Sequence, residues 1–153
     1  NISRAEAKEL IENYFKQYGG IKDYMDSEIA FARKHGYVQT LMGRKRWLAD
    51  INSANFTVRA FAERNAINSP IQGTAADMIK LAMIKVDQEL RAKNFKSKML
   101  LQVHDELVFD VWKEELESIK PVILNSMQTA MALPNQVPTD AELGFGNNWL
   151  EAH

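Results

Sequence analysis

Helical spacing of apolar positions dominates the first third of the chain. Ser3-Arg4-Ala5-Glu6 has the form of a capping box, and Leu10, Tyr14 and Phe15 behind it share one side of a helix that should run to about residue 18. Gly19-Gly20 should stop that helix. Ile21, Met25, Ile29 and Ala32 then predict a second helix over 21–34, ended by Gly36. Residues 37–41 and 46–51 read as two short strands around Met42-Gly43-Arg44-Lys45, a hairpin signal. Helical spacing returns from about Asn55. Pro70 should interrupt it, because proline disfavours helix at the residue before it. Ser69-Pro70-Ile71-Gln72 has the form of a fresh helix start: a Ser cap, Pro at the first helical position and Gln three residues after the cap. Ala75, Ile79, Met83, Val86 and Leu90 give the new helix a buried stripe to about residue 93.

Residues 99–103 and 107–111 are apolar and rich in strand formers, with His104-Asp105-Glu106 between them, a second hairpin. Leu116, Ile119, Ile123, Met127 and Ala130 mark a further helix, in which Pro121 requires a kink or a late start. Pro134 and Pro138 bracket a loop, 139–143 reads as a last strand, and Gly144 and Gly146 should loosen the chain before Trp149. There is no internal repeat and no linker. Helices with a small antiparallel sheet in the second half make the class α+β.

Composition narrows the picture. The 153 residues suit ordinary domain size, and 46% apolar with 25% charged residues excludes a disordered, collagenous or low-complexity chain. The absence of cysteine excludes a disulfide framework and thiolate metal sites, and fits a reducing compartment. No apolar run approaches the ~18 residues of a membrane span, and NISRAEAKEL has no signal-peptide shape. The net charge of −1 hides an asymmetry: residues 1–99 carry 17 Lys+Arg and 11 Asp+Glu, residues 100–153 carry 2 and 9. Such a split fits a polyanion-binding surface beside a carboxylate site for cations, and on composition alone solvated helix faces are the better reading.

The stretch QVHDELVFDV is the most informative. Carboxylates at a turn between well-buried strands are held rigidly and still reach solvent, and Mg²⁺ typically takes one or two carboxylates and keeps several waters. The plainer alternative is that Asp105 and Glu106 serve turn geometry. His104 can act as a general base, a ligand or a hydrogen-bond donor, or simply as a satisfied structural residue. His35 sits near a helix end, where it suits the dipole, and His153 is terminal. The three histidines form no zinc spacing, and no nucleophile elbow, phosphate-binding loop or dinucleotide fingerprint is present. Arg64, Asn68 and Gln72 stand four residues apart, and on a continuous helix they would share a face. Arg and amide side chains read acceptor atoms on base edges, although Gln72 can instead complete a cap with Ser69. Arg33, Lys34, Arg44, Lys45, Arg46 and Arg59 supply positive charge for phosphates, or simply face solvent.

Taken together, these segments resemble the A-family DNA polymerases, the bacterial DNA polymerase I group. QVHDELVFDV resembles the family's motif C, and ERNAINSPIQGTAADMIKLAM the palm segment before it. GYVQTLMGRKRWLADI resembles the hairpin returning from the fingers, with Ala49 where the family commonly has proline. NISRAEAKELIENYFKQYGGIKDYM resembles the helices after the nucleotide-binding finger helix, and NWLEAH the family's C-terminus. The likeness covers nearly the whole chain in the right order. Motif A, close to D-Y-S-Q-I-E, and the motif B finger helix, R-x-x-x-K-x-x-x-x-x-x-Y-G, do not occur in the sequence and are expected upstream.

The resemblance implies the C-terminal part of the fingers over 1–54 and the C-terminal part of the palm over 55–153. It implies a DNA-directed DNA polymerase, active in replication and repair, that extends a primer 3′-hydroxyl on primer-template DNA with deoxynucleoside triphosphates, in the bacterial cytoplasm and without a membrane partner. Asp105 would be a metal-binding catalytic carboxylate of a two-Mg²⁺ site that activates the 3′-hydroxyl and stabilises the leaving pyrophosphate. Glu106 would be its catalytic neighbour and a weaker or indirect ligand. His104 would help place the primer terminus, and Arg64, Asn68 and Gln72 would lie along the minor groove at the newest base pairs. Lacking motifs A and B, the chain alone is expected to be inactive and to hold Mg²⁺ weakly. A non-catalytic nucleic-acid-binding module is the alternative. A small metal-dependent hydrolase using Asp105, Glu106 and His104 would need further convergent acids or histidines, and the sequence offers none.

Overall fold

The structure, a computed structural model, describes residues 2–152. Asn1 and His153, whose terminal position was noted above, lie outside the described residues. The chain divides into two compact units between Thr74 and Ala75, inside a helix.

The first unit contains α1 (Arg4–Gln17), α2 (Gly19–His35), β1 (Tyr37–Gln39), β2 (Lys45–Trp47) and the first part of α3 (Phe56–Ala92). The capping box forms as expected: the Glu6 N–H donates to Ser3 Oγ at 3.2 Å and the Ser3 N–H to the Glu6 carboxylate at 2.7 Å. The glycine pair does not separate the first two helices. Helix α2 begins on Gly19 itself, and Tyr18 alone makes the joint. Gly36 closes α2 at φ +77, a left-handed conformation suited to glycine, and donates to the Ala32 carbonyl at 2.7 Å. Helix α1 buries none of its residues, so Leu10 and Tyr14 are exposed.

β1 and β2 pair antiparallel, with Tyr37 opposite Trp47 and Gln39 opposite Lys45. They are shorter than expected because the turn closes early: Thr40 donates to the Arg44 carbonyl at 3.0 Å and Gly43 to the Thr40 carbonyl at 2.9 Å. Leu48 and Ile51 then enter a core with Ala32, Val38, Ala62 and Ala66.

Asn55 starts α3 by accepting the N–H groups of Thr57 and Val58 on its side chain, at 2.9 and 3.3 Å. The break expected at Pro70 does not occur. α3 runs for 37 residues through it. An interior proline costs about 3 kcal/mol in a helix, and here packing on both sides holds the helix together: Ala62 and Ala66 are buried before Pro70, and Thr74 after it. Ser69 therefore caps nothing. Its hydroxyl donates back to the Asn65 carbonyl, and Gln72 has no cap to complete.

The second unit holds the rest of α3, β3 (Lys98–Val103), β4 (Glu106–Asp110), α4 (Leu116–Gln128) and the short α5 (Trp149–Ala152). Val86 and Leu90 of α3 meet Ile119 and Ile123 of α4, with Phe95, Phe109, Val111, Met127 and Leu143 packed around them. Of the stripe expected on α3, Val86 and Leu90 are buried, Ile79 and Met83 half-buried, and Ala75 exposed. After one 3-10 turn (Lys113–Glu115), α4 begins at Leu116 and continues through Pro121.

Residues 139–143 form no strand. Their last member, Leu143, packs on the core instead. Gly144 and Gly146 do not loosen the chain either. A Cβ on Gly144 would lie 1.7 Å from the Ala152 carbonyl oxygen, and one on Gly146 2.4 Å from Glu151 Cβ, so both must be glycine for α5 to fold back against them. The α+β class holds, with a two-stranded antiparallel sheet in each unit.

Candidate functional site

The turn of the β3–β4 hairpin is set by register. Val103 pairs with Glu106 and Gln102 with Leu107, which leaves His104 and Asp105 alone at the tip. His104 takes φ +52, and the Gln102 side chain donates to its carbonyl at 2.6 Å, tying the tip to β3. Asp105 and His104 are exposed. Glu106 is not part of the turn. It is the first residue of β4 and half-buried. A register shift between Met99 and Leu101 lets Leu100 bulge and remain exposed.

The root of this hairpin is clamped by a carboxylate that sequence reasoning missed. Glu115 accepts from the Lys96 N–H at 2.9 and 3.1 Å, from the Ser97 N–H at 2.9 Å and from the Ser97 hydroxyl at 2.6 Å. Ser97 Oγ in turn accepts from the Trp112 N–H at 2.9 Å. The chain entering β3 is thus tied to the chain leaving β4. These bonds hold the Glu115 carboxyl below its ordinary range, the Lys96 N–H first and the Ser97 hydroxyl next. A carboxyl depressed in the folded state stabilises above its unfolded value of 4.5, and that contribution is lost as pH falls through the folded value. Acid should therefore loosen the hairpin root, and Glu115→Gln should loosen it at neutral pH. The check is hydrogen exchange of the β3 and β4 amides across a pH series. Exchange in the variant that matches the native chain at pH 7 would show that the clamp is idle.

Arg64, Asn68 and Gln72 lie exposed on unbroken α3, where four-residue spacing keeps them on one side. Beside Gln72 the first hairpin approaches closely. A Cβ on Gly73 would stand 2.6 Å from Thr40 Cγ2, the Arg44 guanidinium donates to the Gly73 carbonyl at 2.9 Å, and the Leu41 N–H donates to Thr74 Oγ1 at 3.1 Å. Arg44, expected among the phosphate-facing cations, is thus engaged internally. So are Arg33, paired with Glu63 at 2.5 Å, and Arg59, which reaches Glu63 at 3.7 Å and the Ser53 carbonyl at 2.8 Å. Lys34, Lys45 and Arg46 are exposed. A Gly-Thr pair inside a helical pattern was the one available signal of this close approach.

The family model for "DNA polymerase family A" matches residues 1–151. The chain belongs to DNA polymerase family A. It is 51% identical over 151 residues to DNA polymerase I of Lactococcus lactis subsp. lactis and 52% identical to that of Streptococcus pneumoniae, in each case over 99% of this chain and 17% of the relative. It is also similar to the solved POL domain of Pol1 from M. smegmatis in complex with DNA primer-template and dNTP. That likeness has a TM-score of 0.93 at 44% identity, over 99% of this chain and 26% of the solved one. The chain thus spans about a sixth of the length of these curated relatives.

Family A membership makes a divalent cation the group to test. Asp105 offers one exposed carboxylate on a held turn, the chemistry a hard cation accepts as one ligand among several. Among the described residues, however, no three His, Asp or Glu side chains gather in a way that could hold an ion. The residues fit one edge of such a site and not a complete one. Among the described residues, no helix is long and apolar enough to cross a membrane.

Proposed function

We propose that these residues serve as part of a template-directed DNA polymerase that adds deoxynucleotides from triphosphates to a primer 3′-hydroxyl, in replication and repair in the bacterial cytoplasm. The observation that carries the reading is the exposed Asp105 on a two-residue turn of the motif-C-like hairpin, in a chain of this family. Residues 1–54 belong to the fingers and 55–153 to the palm on this reading, a division by resemblance that differs from the compact units meeting at Thr74 and Ala75.

Asp105, with Glu106 as its weaker neighbour, would hold Mg²⁺, which supplies positive charge where the 3′-hydroxyl and the triphosphate react. His104, exposed beside Asp105 on the tip, positions the primer end by hydrogen bonding. Arg64, Asn68 and Gln72 donate to minor-groove acceptors, which every Watson–Crick pair presents in nearly the same pattern. Donors placed there test pair geometry without reading sequence, as copying requires.

The ungathered ligand set favours a second reading for the chain by itself, a nucleic-acid-binding module without catalysis.

Gln72→Ala in the polymerase that carries this segment tests the first reading. Losing one hydrogen bond should slow single-turnover incorporation about three- to tenfold, with duplex affinity changed much less. Gln72 is exposed and completes no cap, so the melting temperature should stay put. A melting loss that accounts for the whole defect would return Gln72 to a structural role.

A further inference from the structure

Residues 31–47 carry five Lys+Arg and no Asp or Glu, and they hold Phe31, Tyr37 and Trp47 together with His35. The first hairpin arranges these groups into a surface. Tyr37, Gln39, Lys45 and Trp47 share one face of β1–β2, because Tyr37 is opposite Trp47 and Gln39 opposite Lys45. Val38, on the other face, is fully buried.

The rings meet one another in series, tilted or edge-on. Phe31 lies 4.3 Å from His35 and 5.6 Å from Tyr37, and Tyr37 meets Trp47 edge-on at 5.1 Å. Lys45 Nζ sits 4.3 Å over the Tyr37 ring. Trp47 is nonetheless 69% exposed at the end of the series. Core packing does not explain an indole left in solvent on a two-stranded face, with Lys45 exposed on the same face and Lys34 exposed next to His35 at the end of α2.

We propose that this face binds a single-stranded nucleic acid, with a base stacked on Trp47 and the flanking phosphates met by Lys34 and Lys45. The face shares no residue with the set Arg64, Asn68, Gln72 and Asp105, and it goes beyond the function proposed above. Charge decides the occupant. A partner protein face would need acids to match two cations, whereas a single strand brings a phosphate with every base and a π-face for the indole. A duplex hides its base faces and leaves the indole nothing to stack on.

The test uses this 153-residue chain with Trp112→Phe and Trp149→Phe, so that Trp47 alone reports fluorescence. The probes are an oligothymidine of about twelve nucleotides, within the usual site size, an abasic deoxyribose-phosphate chain of equal length, and a duplex of equal length. Oligothymidine should quench Trp47 and outbind the abasic chain. Tyr remains available in every variant, so Trp47→Leu should weaken oligothymidine at least fivefold, about one stacked base, while Trp47→Phe retains most of the affinity. Lys45→Ala should flatten the salt dependence by about 0.7 in log–log slope. Trp47 is exposed, so equal melting temperatures are expected and separate loss of binding from loss of fold.

The proposal is overturned if no oligonucleotide binds, if oligothymidine binds without quenching, or if the abasic chain or the duplex binds Trp47 as well as the single strand does. It is also overturned if Trp47 emission shifts with protein concentration alone and Trp47→Leu lowers the self-association seen by sedimentation, since a second copy of the chain would then be the occupant. Asp105→Asn should leave all these results unchanged, so failure here and failure of the polymerase reading are distinguishable.

Discussion

Asp105→Asn in the polymerase that carries this segment should lower single-turnover nucleotide addition by two to three orders of magnitude, about the several kcal/mol that a bound cation contributes at a transition state. Asn has nearly the shape of Asp and is equally at home in turns. The side chain is exposed, so the substitution costs the hairpin little. What it removes is the negative charge that a hard cation requires. Duplex affinity should stay within about twofold, because a single exposed charge is worth little to binding. Asp110→Asn is the matched control: another exposed acid on the same hairpin, opposite Lys98 at its far end, with no expected role at the tip. A loss below about tenfold at Asp105, roughly 1.4 kcal/mol of barrier, or an equal loss at Asp110, would remove Asp105 from the catalytic machinery.

The hairpin that carries Asp105 was legible because every local signal agreed: strand formers on both sides, polar residues between them and a length that fits pairing. The Ser3–Glu6 box and the Gly36 cap were legible for the same reason, since each is a contact within a few residues. Pro70 misled because its local penalty is real and is outweighed by the burial of Ala62, Ala66 and Thr74, contacts that local reasoning cannot count. Gly144 and Gly146 misled in the opposite way. Read as freedom, they are in fact the residues that let Glu151 and Ala152 come close.

Site chemistry divides along the same line. The exposed place of Asp105 on the turn was legible, whereas the Glu115 clamp joins residues 18 apart in sequence and looks locally like one more acid at a helix start. The basic residues show the point in another form. Sequence alone made Arg33, Arg44 and Arg59 equal to Lys34, Lys45 and Arg46. Folding spends the first three on Glu63, Gly73 and Ser53 and leaves the others facing solvent.

By itself this 153-residue chain should not extend a primer. Transfer between two metal ions needs ligands that hold both, and the described residues bring no three acids or histidines together. Motif A and the motif B finger helix, which carry the other ligands and the triphosphate grip in the family it resembles, do not occur in the sequence. Mg²⁺ gives up its water reluctantly and is usually bound with the help of substrate phosphates, so Asp105 and Glu106 without them should hold it weakly. Duplex affinity is a different matter, because it needs only exposed positive charge. Exposed cations such as Arg64 and Arg46 provide that, and binding through about two phosphate contacts should fall with a log–log salt slope near −1.8. The decisive measurement is primer extension by the purified chain in Mg²⁺, beside the same chain carrying Asp105→Ala to expose any contaminating polymerase. Equal background in both is the expected result. Extension that the native chain supports and Asp105→Ala abolishes would show that the turn at His104 and Asp105 assembles a working site without the missing motifs.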